Sequence, residues 1–241
     1  MQTIQLLIQG QNRNAQGDAW FERKNPLDGE VATRAPAATP ADAVAAVEAA
    51  SAAFPAWSAT GPGKRRALLL KAADALEAKL PAFVAAMAGE TGATAMWAGF
   101  NVHLAADGLR EAAALTTQIT GDVIPSDVPG SLALAVRQPA GVVLGIAPWN
   151  APVILGVRAV AAPLACGNTV VLKGSEQCPN THRLIIEALQ EAGLPDGVVN
   201  YITNAPQDAG AVVEAIVAHP AVRRVNFTGS THVGRIIARL C

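Results

Sequence analysis

The sequence predicts an α/β fold: a doubly wound, mainly parallel sheet that follows an N-terminal helical region. The first observation is that short apolar runs of strand length and longer runs with helical spacing alternate four times between residues 141 and 240. Such alternation favours parallel strands with helices on both faces of the sheet. The second is that residues 40–119 are rich in Ala and Leu at helical spacing.

Composition narrows the function classes. The chain has 241 residues, of which 51% are hydrophobic and 15% charged, so a buried core is expected and disorder is excluded. The net charge of -1 gives no basic field for a nucleic-acid partner. The three cysteines are too few and too scattered for a disulfide scaffold or a zinc site, so no bound metal is expected. The small number of cysteines also favours a reducing, cytoplasmic location.

One apolar stretch has the length of a membrane helix. Residues 138–157 contain no charge, but Pro139, Pro148 and Pro152 interrupt them. We therefore interpret the stretch as a strand, a turn and the start of a helix, and expect no membrane partner.

The elements before residue 120 are predicted from turn and capping signals. The expected order is a short strand at 3–10, a turn at 25–30 flanked by a second strand, a helix from Thr39 and Pro40 to Ala53, two helices within 64–89 broken near Pro81, and a helix over 94–119. Residues 121–140 combine a loop rich in Pro, Gly and Asp with an extended segment, which predicts a hairpin arm leaving the domain body. Residues 1–120 and 141–241 then form one domain.

Four strand–helix units follow the arm. The strands are expected at 141–147, 169–173, 198–202 and 223–227, and the helices at 152–165, 181–191, 207–218 and 231–240. Parallel sheets bind ligands at the carboxyl ends of their strands, so candidate site residues are sought directly after each strand.

Asn150 follows the first of these strands and stands between two prolines. A stiffly held amide N–H suits the stabilisation of a developing oxyanion. An N-cap of the following helix explains the same residue equally simply.

Lys173 and Glu176 follow the second strand. A carboxylate at such a place accepts hydrogen bonds from ribose hydroxyls and repels a 2′-phosphate. The alternative is a surface ion pair, which is common and contributes little stability.

A glycine turn, Phe227-Thr228-Gly229-Ser230, leads from the fourth strand into a helix N-terminus, a suitable place for a pyrophosphate. The segment is not a P-loop, because Arg235 stands where the lysine is required. A G-x-G-x-x-G fingerprint is also absent, which argues against an unrelated doubly wound reductase.

Taken together, these segments resemble the NAD(P)-dependent aldehyde dehydrogenase superfamily. The motifs are Ile146-Ala147-Pro148-Trp149-Asn150, residues 167–176, Glu191 to Asn200, and Phe227-Thr228-Gly229-Ser230, with Phe54-Pro55-Ala56-Trp57 and Glu90-Thr91-Gly92 earlier in the chain. The sequence around Asn150 and the segment Asn204-Ala205-Pro206 are most similar to the aromatic-aldehyde branch, which contains salicylaldehyde, vanillin and benzaldehyde dehydrogenases.

The resemblance implies a Rossmann-like cofactor domain and a role for each motif. Asn150 would donate to the thiohemiacetal oxyanion, Lys173 and Glu176 would hold the adenosine ribose of NAD rather than NADP, and Ser230 would meet the pyrophosphate. Ile146, Pro148, Trp149, Phe227, Thr228 and Gly229 would line the cofactor cleft. The arm at 121–140 would serve oligomerisation, giving a full-length parent that is a homodimer or homotetramer.

The implied reaction is oxidation of an aromatic aldehyde to the acid. Trp97 and Arg158 are the substrate candidates, with a core position for Trp97 and an ion pair for Arg158 as the alternatives. The family's Cys nucleophile and base Glu would lie beyond residue 241, so the 241-residue chain itself is expected to be inactive. The alternative is a non-catalytic module that binds NAD or mediates oligomerisation.

None of the cysteines or histidines is expected to be catalytic or to bind a metal. Cys166 is expected in the core, Cys178 has no base near it in sequence, and Cys241 lacks the nucleophile's context. The four histidines, His103, His182, His219 and His232, show no metal spacing and are expected at the surface.

Overall fold

A computed structural model describes residues 1–241, with eight α-helices and eleven β-strands. The helices are α1 (Pro40–Ser58), α2 (Pro62–Ala78), α3 (Leu80–Thr91), α4 (Ala95–Leu115), α5 (Pro152–Ala165), α6 (Pro179–Glu191), α7 (Ala209–Val217) and α8 (Thr231–Leu240). The strands are β1 (Gln2–Thr3), β2 (Leu6–Ile8), β3 (Gln11–Arg13), β4 (Trp20–Lys24), β5 (Val31–Pro36), β6 (Asp122–Ile124), β7 (Ala133–Ala135), β8 (Val142–Ile146), β9 (Thr169–Lys173), β10 (Val199–Ile202) and β11 (Val222–Phe227).

The main sheet has six strands in the order β11-β8-β9-β10-β2-β3. Four adjacent strands, β11, β8, β9 and β10, pair in parallel, whereas β2 and β3 extend the sheet in antiparallel fashion beyond β10. The predicted doubly wound, mainly parallel α/β fold is therefore confirmed.

Alternate side chains of the central strands point into two separate buried layers. Val143 and Val170 belong to the apolar cluster that α2 to α6 cover. Leu144 and Val171 belong to the second cluster, which α1 and α7 cover on the opposite face. Because both faces are buried, these strands consist of continuous apolar runs, and this made them recognisable in the sequence.

The chain reverses its direction across the sheet at β8. It proceeds from β8 through β9 to β10 and then returns to place β11 on the other side of β8. The carboxyl ends of β8 and β11 therefore flank a topological switch point, where open α/β sheets form their ligand crevice. The Thr228 amide closes this region of the sheet by donating to the Ile146 carbonyl at 3.1 Å.

The expected strand at 3–10 is wrong in detail, since it divides into two strands in different sheets. β1 pairs with β5 in a three-stranded sheet that also contains β4, whereas β2 pairs with β10. Gln9 and Gly10 then turn the chain with φ of 56° and 74°. The Asn200 side chain fixes this turn by accepting from the Gln9 amide at 2.9 Å.

The helical region follows the prediction, apart from its boundaries. The break between α2 and α3 falls at Lys79, with Pro81 in the first turn of α3, as expected. α1 continues past the predicted end at Ala53 to Ser58, because Trp57 adds a fully buried ring to its apolar face. α6 begins at Pro179, two residues before the predicted start.

The predicted hairpin within 121–140 is also present. β6 and β7 pair in antiparallel fashion from Asp122 opposite Ala135 to Ile124 opposite Ala133. Several of its apolar side chains are exposed, among them Val123 at 72% and Leu132 at 73%. The Asn168 side chain anchors the return of the arm to β8 by accepting from the amides of Ala140 at 2.6 Å and Gly141 at 3.2 Å.

Candidate functional site

The ends of three adjacent strands form the floor of the candidate site. Phe227 pairs with Ile146, and Ile146 pairs with Lys173, so the last residues of β11, β8 and β9 form one row across the sheet. Each strand then continues into one of the loops that the sequence analysis selected. The structure therefore brings the three predicted segments to the same edge of the sheet.

Asn150 lies in the turn between β8 and α5 and is exposed. The residue that caps α5 is Ala151, and no side chain caps this helix. The alternative in which Asn150 is the N-cap is therefore wrong. Since its side-chain amide makes no hydrogen bond within the chain, its N–H groups are available to a ligand oxygen.

Trp97 lies beside this turn, on α4. Its indole N–H donates to the Asn150 carbonyl at 3.2 Å, and its ring stacks on Phe100 with centroids 5.4 Å apart. The side chain is 41% exposed, so its interpretation as a core residue is wrong. Trp97 instead holds the backbone of the Asn150 turn and presents an aromatic surface next to it.

We expect the change Trp97→Phe to loosen the Asn150 turn, because phenylalanine keeps an aromatic ring but has no N–H. The loss of one partly exposed hydrogen bond should lower the free energy of unfolding by about 1 kcal/mol. Hydrogen exchange of the Leu155 amide, which donates to the Ala151 carbonyl in this turn, should become faster. Trp149→Phe is the matched control, since the Trp149 indole in the same turn makes no hydrogen bond; equal effects of the two changes would contradict the assignment.

Lys173 ends β9 and is 6% exposed. Its ammonium donates to the Gly174 carbonyl at 3.1 Å and lies 3.6 Å from the Glu176 carboxylate. Burial lowers the pKa of Lys173, and the charge of Glu176 opposes this shift. A surface ion pair is therefore the wrong description of Lys173, because its charge is held inside the protein with one carboxylate beside it.

Gly174 allows this loop to pass close to β10. A Cβ atom at Gly174 would overlap the hydroxyl of Tyr201, which is fully buried and donates to the Pro179 carbonyl at 2.6 Å. The Lys173 and Glu176 side chains are thus placed by a backbone that only glycine permits here.

The third loop carries Phe227 to Ser230. The Phe227 ring packs against Gly229 and Gly234, where a Cβ atom at Gly229 would overlap it. The Ser230 hydroxyl caps α8 by accepting from the Val233 amide at 3.2 Å. Ser230 and Gly229 are exposed, so the first turn of α8 opens to solvent beside the crevice.

Arg158 is exposed on α5 and forms no salt bridge within the chain. The alternative that pairs it with a carboxylate of this chain is therefore not realised. Its predicted contact with a substrate stays a prediction.

His182 corrects the expectation that all four histidines lie at the surface, because it is fully buried. Its Nδ1 accepts from the Ser175 amide at 3.0 Å, and its Nε2 donates to the Pro152 carbonyl at 3.1 Å. Burial lowers the pKa of His182 to about 4. Ile185, Ile186 and Leu189 follow at helical spacing, and this pattern is the sequence signal that puts position 182 on the buried face of α6.

Two of the cysteine expectations need correction. Cys166 is exposed at the end of α5 instead of buried, and the Cys178 sulfur lies 3.9 Å from Nδ1 of His182, so a ring nitrogen is near it after all. Burial nevertheless raises the pKa of the Cys178 thiol well above its usual value. Cys178 is therefore protonated and inaccessible, which is unsuitable for a nucleophile. Cys241 is exposed.

No group of three or more His, Cys, Asp or Glu side chains is close enough to hold a metal ion. None of the helices combines the length and the apolar character that crossing a membrane requires.

Comparison with known proteins agrees with this fold. The model of the aldehyde dehydrogenase family matches residues 13–241. A vanillin dehydrogenase from Pseudomonas sp. strain HR199 is 68% identical over 237 residues, which cover 98% of this chain and 49% of that protein. A salicylaldehyde dehydrogenase from Pseudomonas putida is 52% identical over 219 residues, or 91% of this chain and 45% of that protein.

Solved structures give the same result. The crystal structure of a salicylaldehyde dehydrogenase from Pseudomonas putida G7, complexed with salicylaldehyde, superposes with a TM-score of 0.97 at 49% identity and covers 100% of this chain and 49% of that one. A doubly wound sheet with a ligand crevice at a topological switch point defines the open α/β class of proteins. Within that class, the chain belongs to the aldehyde dehydrogenase family. It spans about half the length of the relatives it matches.

Proposed function

We propose that this chain provides the cofactor-binding part of an NAD-dependent dehydrogenase that oxidises an aromatic aldehyde to its carboxylic acid. The observation that carries the proposal is the exposed side-chain amide of Asn150, which makes no hydrogen bond within the chain and follows β8, the strand that pairs with β9 ahead of Lys173 and Glu176. A neutral donor and a ribose-binding carboxylate at adjacent strand ends suit the two halves of the reaction. The donor serves the carbonyl oxygen, and the carboxylate serves the cofactor.

The residues at the crevice fit the cofactor. The Glu176 side chain is 28% exposed and faces the loop end, where it is able to accept from ribose hydroxyls. The Lys173 ammonium lies 3.6 Å from this carboxylate and holds it in place, and the opening of α8 at Ser230 offers backbone N–H groups to a pyrophosphate. When bound, the nicotinamide supplies the hydride acceptor.

Asn150 acts on the substrate carbonyl. Its side-chain N–H donates to the carbonyl oxygen as negative charge develops there, and Trp97 keeps the backbone of Asn150 in position during the step. Because the amide is neutral and projects from a backbone that Trp97 holds, it offers a donor without a charge of its own. Ile146, Pro148, Trp149, Phe227, Thr228 and Gly229 line the cleft around the cofactor.

An aromatic substrate is supported by the relatives and by the surface beside Asn150. Vanillin and salicylaldehyde dehydrogenases are among the proteins most similar in sequence, and a benzaldehyde dehydrogenase from Corynebacterium glutamicum superposes with a TM-score of 0.93 at 34% identity. Trp97 and Phe100 offer a stacked pair of rings next to Asn150. Arg158 is the candidate for a polar substituent on the substrate ring.

The domain organisation forms part of the proposal. Residues 1–120 and 141–241 would form the cofactor-binding domain, and the hairpin at 121–140 would join subunits of the full-length homodimer or homotetramer. The exposed apolar side chains of the hairpin support this role, since apolar patches of this kind mark protein interfaces.

The cofactor assignment is tested by titrating the 241-residue chain with NAD and with NADP. We expect NAD to bind at least about tenfold more tightly, because a 2′-phosphate would meet the Glu176 carboxylate, and tenfold corresponds to about 1.4 kcal/mol. The change Glu176→Gln should weaken NAD binding and remove most of the preference. Glu187→Gln on α6 is the control and should leave both affinities unchanged. Equal affinity of the unaltered chain for the two cofactors would refute the assignment.

A further inference from the structure

The proposed reaction gives no role to His182, which is the buried residue that connects two of the site loops. Nδ1 accepts from the Ser175 amide at 3.0 Å, and Nε2 donates to the Pro152 carbonyl at 3.1 Å. Ser175 stands between Lys173 and Glu176 in the loop after β9. Pro152 stands two residues after Asn150, at the start of α5.

These two partners determine the state of the ring. A backbone amide only donates, so Nδ1 must carry no proton. A carbonyl oxygen only accepts, so Nε2 must carry one. The ring is therefore a neutral imidazole in a single tautomer, with both nitrogens satisfied inside the protein.

The position of the ring is fixed by the contact between α5 and α6. A Cβ atom at Gly156 would lie 3.2 Å from Cδ2 of His182 and 2.5 Å from Cδ1 of Ile185. The Cys178 sulfur lies 3.9 Å from both ring nitrogens. These neighbours leave the ring no room to turn away. Its two hydrogen bonds therefore fix the loop after β9 and the start of α5 relative to α6.

We propose that His182 is a positioning residue of the cofactor and oxyanion sites: it holds the loop of Lys173 to Glu176 in register with the Asn150 turn. The effect of His182 on the reaction rests on the proposed function. The joining of the two loops by the His182 ring does not depend on that function. Asn150 and Glu176 serve different parts of one reaction, so their relative position must be kept constant, and a bridge with two hydrogen bonds of defined direction does this.

Three substitutions separate the two bonds. His182→Leu removes both. His182→Asn puts an amide oxygen near the position of Nδ1, where it can accept from Ser175, and His182→Gln puts an amide N–H near the position of Nε2, where it can donate to Pro152. A ring that only fills space would make the three variants behave alike.

The measurements are hydrogen exchange in the 241-residue chain and NAD titration. We expect His182→Leu to accelerate exchange both at 174–177 and at 155–157, the first hydrogen-bonded amides of α5, and to weaken NAD binding about tenfold. His182→Asn should restore protection at 174–177 together with most of the NAD affinity, whereas His182→Gln should restore protection at 155–157 only. Nitrogen-15 spectra of the unaltered chain should show a neutral ring protonated at Nε2. His103→Gln, which changes an exposed histidine on α4, should alter neither exchange nor affinity.

Different outcomes would contradict the role of His182 and the proposed function. Identical exchange patterns in the three variants, or faster exchange in only one loop with His182→Leu, would overturn the role of His182. Absence of NAD binding in the unaltered chain would refute the proposed function, while the exchange patterns would still decide whether His182 joins the loops.

Discussion

Replacing Glu90 with alanine is expected to destabilise the fold by about 4 kcal/mol, because one buried and one part-buried backbone N–H group would lose their acceptor at about 1–3 kcal/mol each. Glu90 is 1% exposed and lies at the end of α3. Its carboxylate accepts from the amides of Asn180 at 2.7 Å and Thr181 at 2.9 Å. The hydroxyls of Thr33 at 2.9 Å and Thr181 at 2.7 Å complete the set.

The position of these donors explains the size of the effect. Asn180 and Thr181 belong to the first turn of α6, whose own N-cap residue, Cys178, makes no side-chain cap. Glu90 thus caps a helix that is distant in sequence, and its negative charge lies at the positive end of the helix dipole. Because α6 carries His182 and follows directly on the Lys173 loop, loss of the cap should also disturb the candidate site.

Urea unfolding followed by circular dichroism measures this effect. Glu90→Gln should have an intermediate effect, since an amide provides one acceptor oxygen and turns an N–H towards one of the two backbone donors. Glu48→Ala changes an exposed carboxylate on α1 and should shift stability by less than about 0.5 kcal/mol. A Glu90→Ala variant as stable as Glu48→Ala would show that the cap contributes nothing.

The central strands and their helices could be predicted because their signals are local. Val142 to Ile146 and Thr169 to Lys173 are short apolar runs bounded by Gly, Pro and Asn, and burial on both faces demands such runs. The rule that ligands bind at the carboxyl ends of parallel strands then led from these runs to Asn150, Lys173 and the glycine turn after β11. Sheet order was not needed for that step.

The features that the sequence did not reveal depend on partners far away along the chain. Glu90 and Thr181 are 91 residues apart, and Gln9 and Asn200 are 191 apart. No local pattern indicates which side chain caps α6 or where the N-terminal strand divides. The exposure of Cys166 is likewise decided by how α5 packs on its neighbours, whereas the burial of His182 had a local signal in the apolar residues that follow it on α6.

Asn150 shows that a capping pattern in the sequence does not by itself locate the first residue of a helix. Asn before a proline at the second following position satisfies the sequence pattern of an N-cap, yet the helix begins one residue later, after Ala151 at φ -135° and ψ 65°. The difference of one residue releases the amide from the helix. Only the backbone geometry separates a cap from a free donor at this position.

The last expected result is a pH dependence of stability that His182 causes. Its pKa is lowered from 6.5 to about 4 by burial, with the charge of Lys173 acting in the same direction and the hydrogen bond to the Pro152 carbonyl opposing it. Between these two values the unfolded chain binds a proton at His182 that the folded chain does not. The contribution of His182 to the free energy of unfolding should therefore be fully present above pH 6.5. It should decrease as the pH falls towards 4, by at most about 3 kcal/mol.

The comparison that isolates this contribution is the unfolding free energy of the unaltered chain minus that of His182→Gln, measured from pH 7.5 to 4.5. Burial raises the pKa of Glu90, so that carboxyl acts in the opposite direction and favours the folded state as the pH falls. It does so equally in both proteins and cancels in the difference. The difference should therefore decrease steadily below pH 6.5. A level difference for His182→Gln would mean that the ring is able to accept a proton in the folded protein, and the neutral bridge between the Ser175 amide and the Pro152 carbonyl would then be wrong.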